Sequence, residues 1–243
     1  MDNGRISEAG THVLSSSRFT TAPFSDASYA EAFVGMHSAV TDRLRVGAVI
    51  PIVTAWENGS SHSGLGNSVT YLEVSGANAS DKSKISGGIQ LEIPTAMHGF
   101  GDAHFLILPY FQGWKRLGRW EARVQAGWSK TLTGDHAHSP NHGLIINPHS
   151  NSEGLLRTEG STTFSTKSLS FHPGLGLELI RDLVDPYASV VNGGGMIRMT
   201  WRRLDLQAQA DFPLTDTRRY DQRYTLRASF PIGSAKEQKP SKS

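Results

Sequence analysis

Apolar and polar residues alternate with a period of two along most of the chain, in segments of about ten residues. Leu44, Val46, Ala48, Ile50 and Ile52 alternate with Arg43, Arg45, Gly47 and Val49. Ile85, Gly87, Ile89, Leu91 and Ile93 alternate with Lys84, Ser86, Gly88, Gln90 and Glu92. The same rhythm runs from Trp120 to Trp128, from Leu204 to Phe212 and from Tyr224 to Phe230. Each segment reads as a strand with one apolar and one polar face. A helix fails here, because at 100° per residue the charges of Asp205–Asp211 would spread around the whole circumference.

The pattern predicts about twelve strands, near residues 11–21, 28–40, 43–54, 67–76, 83–94, 103–114, 117–131, 153–165, 168–180, 187–201, 203–213 and 218–231. Alternation is poor in the first of these and near 153–165 and 187–195. Tight turns are expected at Thr41-Asp42, Lys115–Gly118 and Arg202-Arg203, and long polar loops at Trp56–Asn67, Pro94–Asp102 and Thr131–Ser152. The segment Gly76–Lys82 is long for a turn. Asn58-Gly59 reads as turn chemistry. Trp120 and Trp128 bracket one strand, and Tyr110, Trp114 and Trp201 sit at strand ends. Aromatic rings at both ends of an apolar band suit the two interfaces of a bilayer. Short and long connections largely alternate, as in bacterial outer-membrane barrels. The fold expected is therefore all-β: a closed antiparallel up-and-down transmembrane barrel, with an even strand count placing both ends on the periplasmic side. Its competitor is a soluble β-sandwich or lipocalin-like barrel, which would bury the alternating apolar face and wet the charged one.

Composition supports the first reading. No run approaches the ~18 apolar residues of a membrane helix, and mean hydropathy is −0.33, but only every second residue of a barrel strand faces lipid. The 24 basic and 22 acidic residues leave a formal charge of +2, which gives no argument for nucleic acid. The chain has no cysteine, so disulfides, thiolate metal sites and covalent c-type haem are excluded. No apolar signal core follows Met1. Location in a bacterial outer membrane therefore requires that an export signal was removed. Residues 1–10 are expected to be an N-terminal periplasmic segment, 11–231 the barrel, and 232–243 a disordered Lys-, Ser- and Pro-rich tail. The strand ending in Phe230 resembles the terminal assembly signal of bacterial barrels, apart from the tail that follows it.

The strand phases point Arg43, Arg45, Lys84, Glu92, Glu121, Arg123, His172, Glu178, Arg198, Asp205, Asp211, Asp221, Arg223 and Arg227 inward. Facing strands place Asp205 or Asp211 near Arg223 or Arg227. Such a lining either tunes the selectivity of an open bore or pairs across itself and closes it. His136, His138 and His142, with His149 further on, are weak metal-ligand candidates. Neutral imidazoles at that density bind Zn, Ni or Cu, whereas a solvated loop carries them without function. A lipid hydrolase would carry His and Ser two apart on an outward strand face. No His-x-Ser occurs among the ten histidines, so no enzyme is expected. Gly193-Gly194-Gly195 lacks the helix and Lys of a phosphate loop and reads as a flexible stretch or bulge. No cofactor is implied.

Three stretches resemble a transporter-like outer-membrane family known as phenol-degradation-pathway or MetA-pathway proteins. Arg45–Val53 resembles the family's strand with an apolar-Pro step, Gly64–Asn67 its Gly-Leu-Gly-Asp turn, and Gly88–Thr95 its strand ending in Leu-Pro-Thr-Gly. Gln207–Leu214 resembles a late strand with the same apolar-Pro step. Asn67 stands where the family has Asp, and Ala96 where it has Gly. The resemblance covers about residues 29–231. It implies an outer-membrane barrel with a transport role, and says little about substrate. The functions expected are a channel for small solutes, or else a plugged barrel serving a partner in a cell-envelope complex. The partners expected are outer-membrane lipid, small solutes and an envelope protein or a second copy.

Overall fold

The computed structural model describes residues 11–21, 27–76, 82–96, 100, 104–132, 150–185, 189–202 and 204–232. They form fourteen strands and no helix: β1 (Thr11–Thr21), β2 (Ser28–Ala39), β3 (Leu44–Glu57), β4 (Ser60–Leu65), β5 (Ser68–Ser75), β6 (Ser83–Ile93), β7 (Leu106–Leu117), β8 (Trp120–Thr131), β9 (Ser152–Thr162), β10 (Phe164–Ser165), β11 (Leu169–Asp182), β12 (Val190–Trp201), β13 (Leu204–Pro213) and β14 (Gln222–Ile232). Sequential neighbours pair antiparallel, and β1 closes on β14 from Thr11↔Ile232 to Thr21↔Gln222. β4 continues the line of β5 beyond the break at Gly66-Asn67, and β10 continues β9. The result is a closed twelve-strand up-and-down barrel.

The barrel is apolar outside and polar inside. Among the described residues, nineteen buried side chains are polar or charged and eight are apolar. Glu31 and Glu73 are 2% exposed, while Phe111 and Leu175 are 73% and 74% exposed. A soluble sandwich or lipocalin would have the opposite sign, because apolar surface in water is unfavourable by about 25 cal/mol per Å². Only a hydrocarbon exterior makes this arrangement sensible.

Boundaries differ from the sequence reading in a few places. The polar stretch 56–67 is not a loop. β3 runs on to Glu57 and returns as β4 through Asn58 (φ 50°) and Gly59 (φ 76°), a two-residue turn needing left-handed backbone at both positions. The polar face of this hairpin extension hid its alternation. The turn expected at 115–118 lies at Gly118 (φ 62°)-Arg119 instead. The segments of poor alternation at 11–21, 153–165 and 187–195 fall, over their described residues, largely in β1, in β9 and β10, and in β12, which ladders hold in place. Gly193–Gly195 makes no bulge, since these residues pair one to one with Leu177–Leu175 and with Phe212–Ala210. β14 includes Ile232, one residue past the expected barrel end. Residues 1–10 and 233–243, expected as segment and tail, lie outside the described residues. Pro51 has no N–H to donate, and it sits level with the Gly66-Asn67 break, where the ladder to β3 is interrupted.

The end holding Thr11 and Ile232 carries the connections 40–43, 118–119, 166–168 and 202–203, each of two to four residues, and the longer 76–82. At the other end the connections between barrel strands run six residues or more, with Asn58-Gly59 the exception.

Tyr110 and Trp114, read as interfacial, point inward. β7 puts Ile107, Pro109 and Phe111 on its lipid side, so the even positions are left for the bore. Tyr71 and Tyr110 lie flat against glycines: a Cβ on Gly47 would sit 2.4 Å from the Tyr71 ring, and one on Gly88 would sit 2.7 Å from the Tyr110 ring. Gly47→Ala should therefore destabilise the barrel by about 1–3 kcal/mol through overpacking. Gly160→Ala, where a Cβ meets nothing within 4 Å, should be neutral or slightly stabilising. Urea midpoints in detergent compare the two.

Candidate functional site: the charged bore

The register turns odd or even positions inward strand by strand. Twelve of the fourteen residues that the strand phases turn inward face the barrel interior: Arg45, Lys84, Glu92, Glu121, Arg123, His172, Glu178, Arg198, Asp205, Asp211, Arg223 and Arg227. Two do not belong to strands. Arg43 is an exposed turn residue whose carbonyl accepts from the Ser75 N–H. Asp221 lies in the connection before β14 and pairs with Arg218 at 2.8 Å. Both share the inward parity, but parity carries no meaning once a strand has ended.

The charges gather into paired groups on the wall. On the side formed by β9 to β14, Arg223 bridges Glu178 and Asp211, at 3.1 Å to each. Asn192 donates to Glu178 at 3.0 Å, and Gln209 donates to Asp211 at 2.7 Å. Arg157 reaches Glu159 and the Gln209 carbonyl, both at 2.9 Å. Nearer the short turns, Glu121 accepts Arg123 at 2.8 Å, with Arg116 and Arg198 within 3.7 Å. On the other side, Arg18 pairs with Glu31 across β1 and β2. Glu73 accepts from Gln112 at 2.6 Å and from the Tyr110 hydroxyl at 3.2 Å, with Lys84 3.8 Å away. Asn67 donates to Glu92 at 2.9 Å. The expected pairing of β13 with β14 is met by Asp211 and Arg223, and Asp205 accepts from the Thr200 hydroxyl at 2.6 Å. At the loop end, Arg219 reaches back to Glu153.

Several of these groups escaped the sequence reading. Arg18 lies in a Ser-rich segment and Glu31 among alanines, so neither stood out as the polar half of an alternation. Arg157 and Glu159 lie in a segment of poor alternation, and Arg157 is central to the cluster on its wall. The ladder, which sequence does not print, supplies the signal.

The pairs line a cavity of about 420 Å³ and leave it unfilled, a size in the range of small-molecule sites. Five arginines (Arg18, Arg157, Arg198, Arg223, Arg227) and five carboxylates (Glu31, Glu92, Glu178, Asp205, Asp211) contribute to its lining, so its charge is balanced. The β2–β7 side adds Phe33, Val49, Pro51, Val69 and Leu108. Phe100 packs near the loop end against the cluster of Ala27, Tyr29 and Val53.

His172 faces the bore, and its Nδ1 shares a hydrogen bond with the Thr163 hydroxyl at 2.9 Å. Among the described residues no group of three or more His, Asp or Glu is placed to hold a metal. His136, His138, His142 and His149 lie outside the described residues.

No family model matches the sequence. No curated protein matches it either. The fold, by contrast, is well represented among solved structures. It is similar to an outer membrane channel from Pseudomonas putida F1, with a TM-score of 0.70 and 13% identity over 95% of this chain and 99% of that one. It is also similar to the translocator domain of the autotransporter NalP from Neisseria meningitidis, with a TM-score of 0.56 and 10% identity over 91% of this chain and 87% of that one. A third is the KdgM porin in complex with disordered oligogalacturonate, with a TM-score of 0.55 and 9% identity over 91% and 99%. Identities this low carry the architecture, that of outer-membrane barrels, and nothing finer.

Arg223→Ala should destabilise the barrel by about 3 kcal/mol, because it leaves Glu178 and Asp211 without their shared cation. Adding Glu178→Gln and Asp211→Asn should recover much of the loss. Urea unfolding in detergent measures both, and an unchanged midpoint for the single variant would sink the interpretation.

Proposed function

We propose that this chain is a passive channel of the bacterial outer membrane for small solutes, with its short turns and both barrel ends in the periplasm. The single observation behind the proposal is a cavity lined by ion-paired side chains inside a closed barrel whose outer face is apolar. Solvated charge on a bore wall offers polar solutes replacement partners for water along their path. The similarity in fold to channels and porins favours the same reading. So does the resemblance of Arg45–Val53, Gly64–Asn67 and Gly88–Thr95 to the transporter-like family. An export signal removed from the precursor belongs to the proposal.

No catalytic role is proposed. The hydroxyl–imidazole pair of Thr163 and His172 faces the bore, on the wrong side for a lipid substrate. One observation favours a second reading: the extent of ion pairing inside the barrel suits a closed bore that serves a cell-envelope partner.

Single-channel recording in planar bilayers separates the two. An open bore gives discrete conductance steps. With five cations against five anions in the lining, its reversal potential in a salt gradient should lie near zero. Glu178→Gln with Asp211→Asn should move that potential toward the chloride equilibrium value. Silence from a barrel shown to be inserted and folded would transfer the weight to the closed reading.

A further inference from the structure

We infer that an outer arc of the barrel rim, built by the turns β7–β8, β10–β11 and β12–β13, holds the phosphate of an anionic phospholipid. The inference rests on the membrane orientation proposed above. Arg119, Lys167 and Arg202 occupy those three turns, and all are exposed. The turns are tied side by side. The Thr163 N–H donates to the Arg119 carbonyl at 2.7 Å, and the Arg202 N–H to the Ser168 carbonyl at 3.4 Å. Three cations therefore stand along one stretch of rim, and no acid accompanies them among the described residues of these turns.

Directly inside the rim, the lipid-facing side carries Trp120, Phe164, Phe171 and Trp201. Arg119 stacks over Trp120 at 5.8 Å and Arg202 over Trp201 at 5.3 Å. Outward-facing Trp marks the level of lipid headgroups. Cations seated on those rings are held at phosphate height, within reach of anionic lipid and away from the bore. The acids nearest in sequence, Glu121 and Asp205, point into the barrel and are already bound there.

The charge is also one-sided. At the short-turn end the described turn and rim residues include Arg43, Lys82, Lys115, Arg119, Lys167 and Arg202 against Asp42. At the loop end, cations meet acids: Arg218 pairs with Asp221, Arg219 with Glu153, and Glu57, Asp185 and Asp216 stand against Lys130 and Arg181. A headgroup with net negative charge therefore finds its complement at one end only. An acidic protein would be drawn to the same cations, but it would not need them stacked on lipid-facing aromatic rings.

The test titrates the full barrel, stripped of lipid in detergent, with phosphatidylglycerol and with phosphatidylcholine, and reads bound lipid by native mass spectrometry. The inference expects at least a fivefold preference for phosphatidylglycerol, from about fivefold per engaged cation. Excess inorganic phosphate should not displace the lipid. Arg119→Gln, Lys167→Gln and Arg202→Gln together should abolish the preference. Lys130→Gln with Arg181→Gln, on the outer face toward the loop end, should leave it intact. Equal binding of the two lipids by the unaltered barrel overturns the inference. So does a triple variant that keeps the preference, or displacement by phosphate. Conductance of the same preparations separates this claim from the channel: a silent barrel that prefers the anionic lipid strikes only the channel, and a conducting one without preference strikes only this arc.

Discussion

Every backbone N–H and C=O of a strand facing hydrocarbon must find its partner within the protein, because lipid offers none. The pairing of β1 with β14 meets that demand by removing both edges of the sheet. Much of the rest follows from this closure. Once the sheet is a ring, each residue points either to lipid or to the bore, and sequence parity decides which. A slip of one residue in any ladder would turn Glu31, Glu73 or Glu178 toward hydrocarbon, so register is strongly specified. Apolar contact between Val34, Ile50, Leu72 and Ile89 and the bilayer, and polar contact within, reinforce the same register.

Closure also crowds the interior, where polar side chains from twelve strands converge. Unpaired charges there would carry a large desolvation cost, and pairing removes most of it. Glycine settles how much space remains. Gly47 and Gly88 let Tyr71 and Tyr110 lie against the wall, and Gly194 leaves room for the Asp211 carboxylate, which a Cβ would approach to 2.5 Å. Flat rings over glycine pin strand register as well. The cavity thus owes its existence to residues with no side chain as much as to the charges that line it.

The sequence carries the fold clearly where lipid imposes alternation, and poorly where it does not. The segments around Leu44, Ile85, Trp120, Leu204 and Tyr224 could be phased by eye, and their inward charges follow from that phase. β1 is dominated by serine and threonine, residues with no preferred side, so Arg18 went unnoticed. Tyr110 and Trp114 are amphipathic, and either side of β7 could accept them; the ladder to β6, with Gly88 opposite Tyr110, decides. The β3–β4 extension is polar on both faces, which erased the period beyond Trp56. Which charges meet depends on register between strands distant in sequence: Arg223 and Glu178 are 45 residues apart. No local pattern encodes that distance.

Whether such a bore is open or shut turns on how its pairs are arranged. The strongest contacts join neighbouring strands, or strands a few places apart on the same side: Arg18 with Glu31, Glu73 with Gln112 and Lys84, Arg157 with Glu159, and Glu178 and Asp211 with Arg223. Pairs of this kind hold long side chains against the wall, whereas a plug needs bridges spanning opposite walls. Arg157, Glu178, Asp211 and Arg223, held at the wall, keep part of their side chains exposed toward the cavity. For a channel, the same wall-held pairs supply both stability and a path; the closed alternative draws its support from how many of these charges are paired.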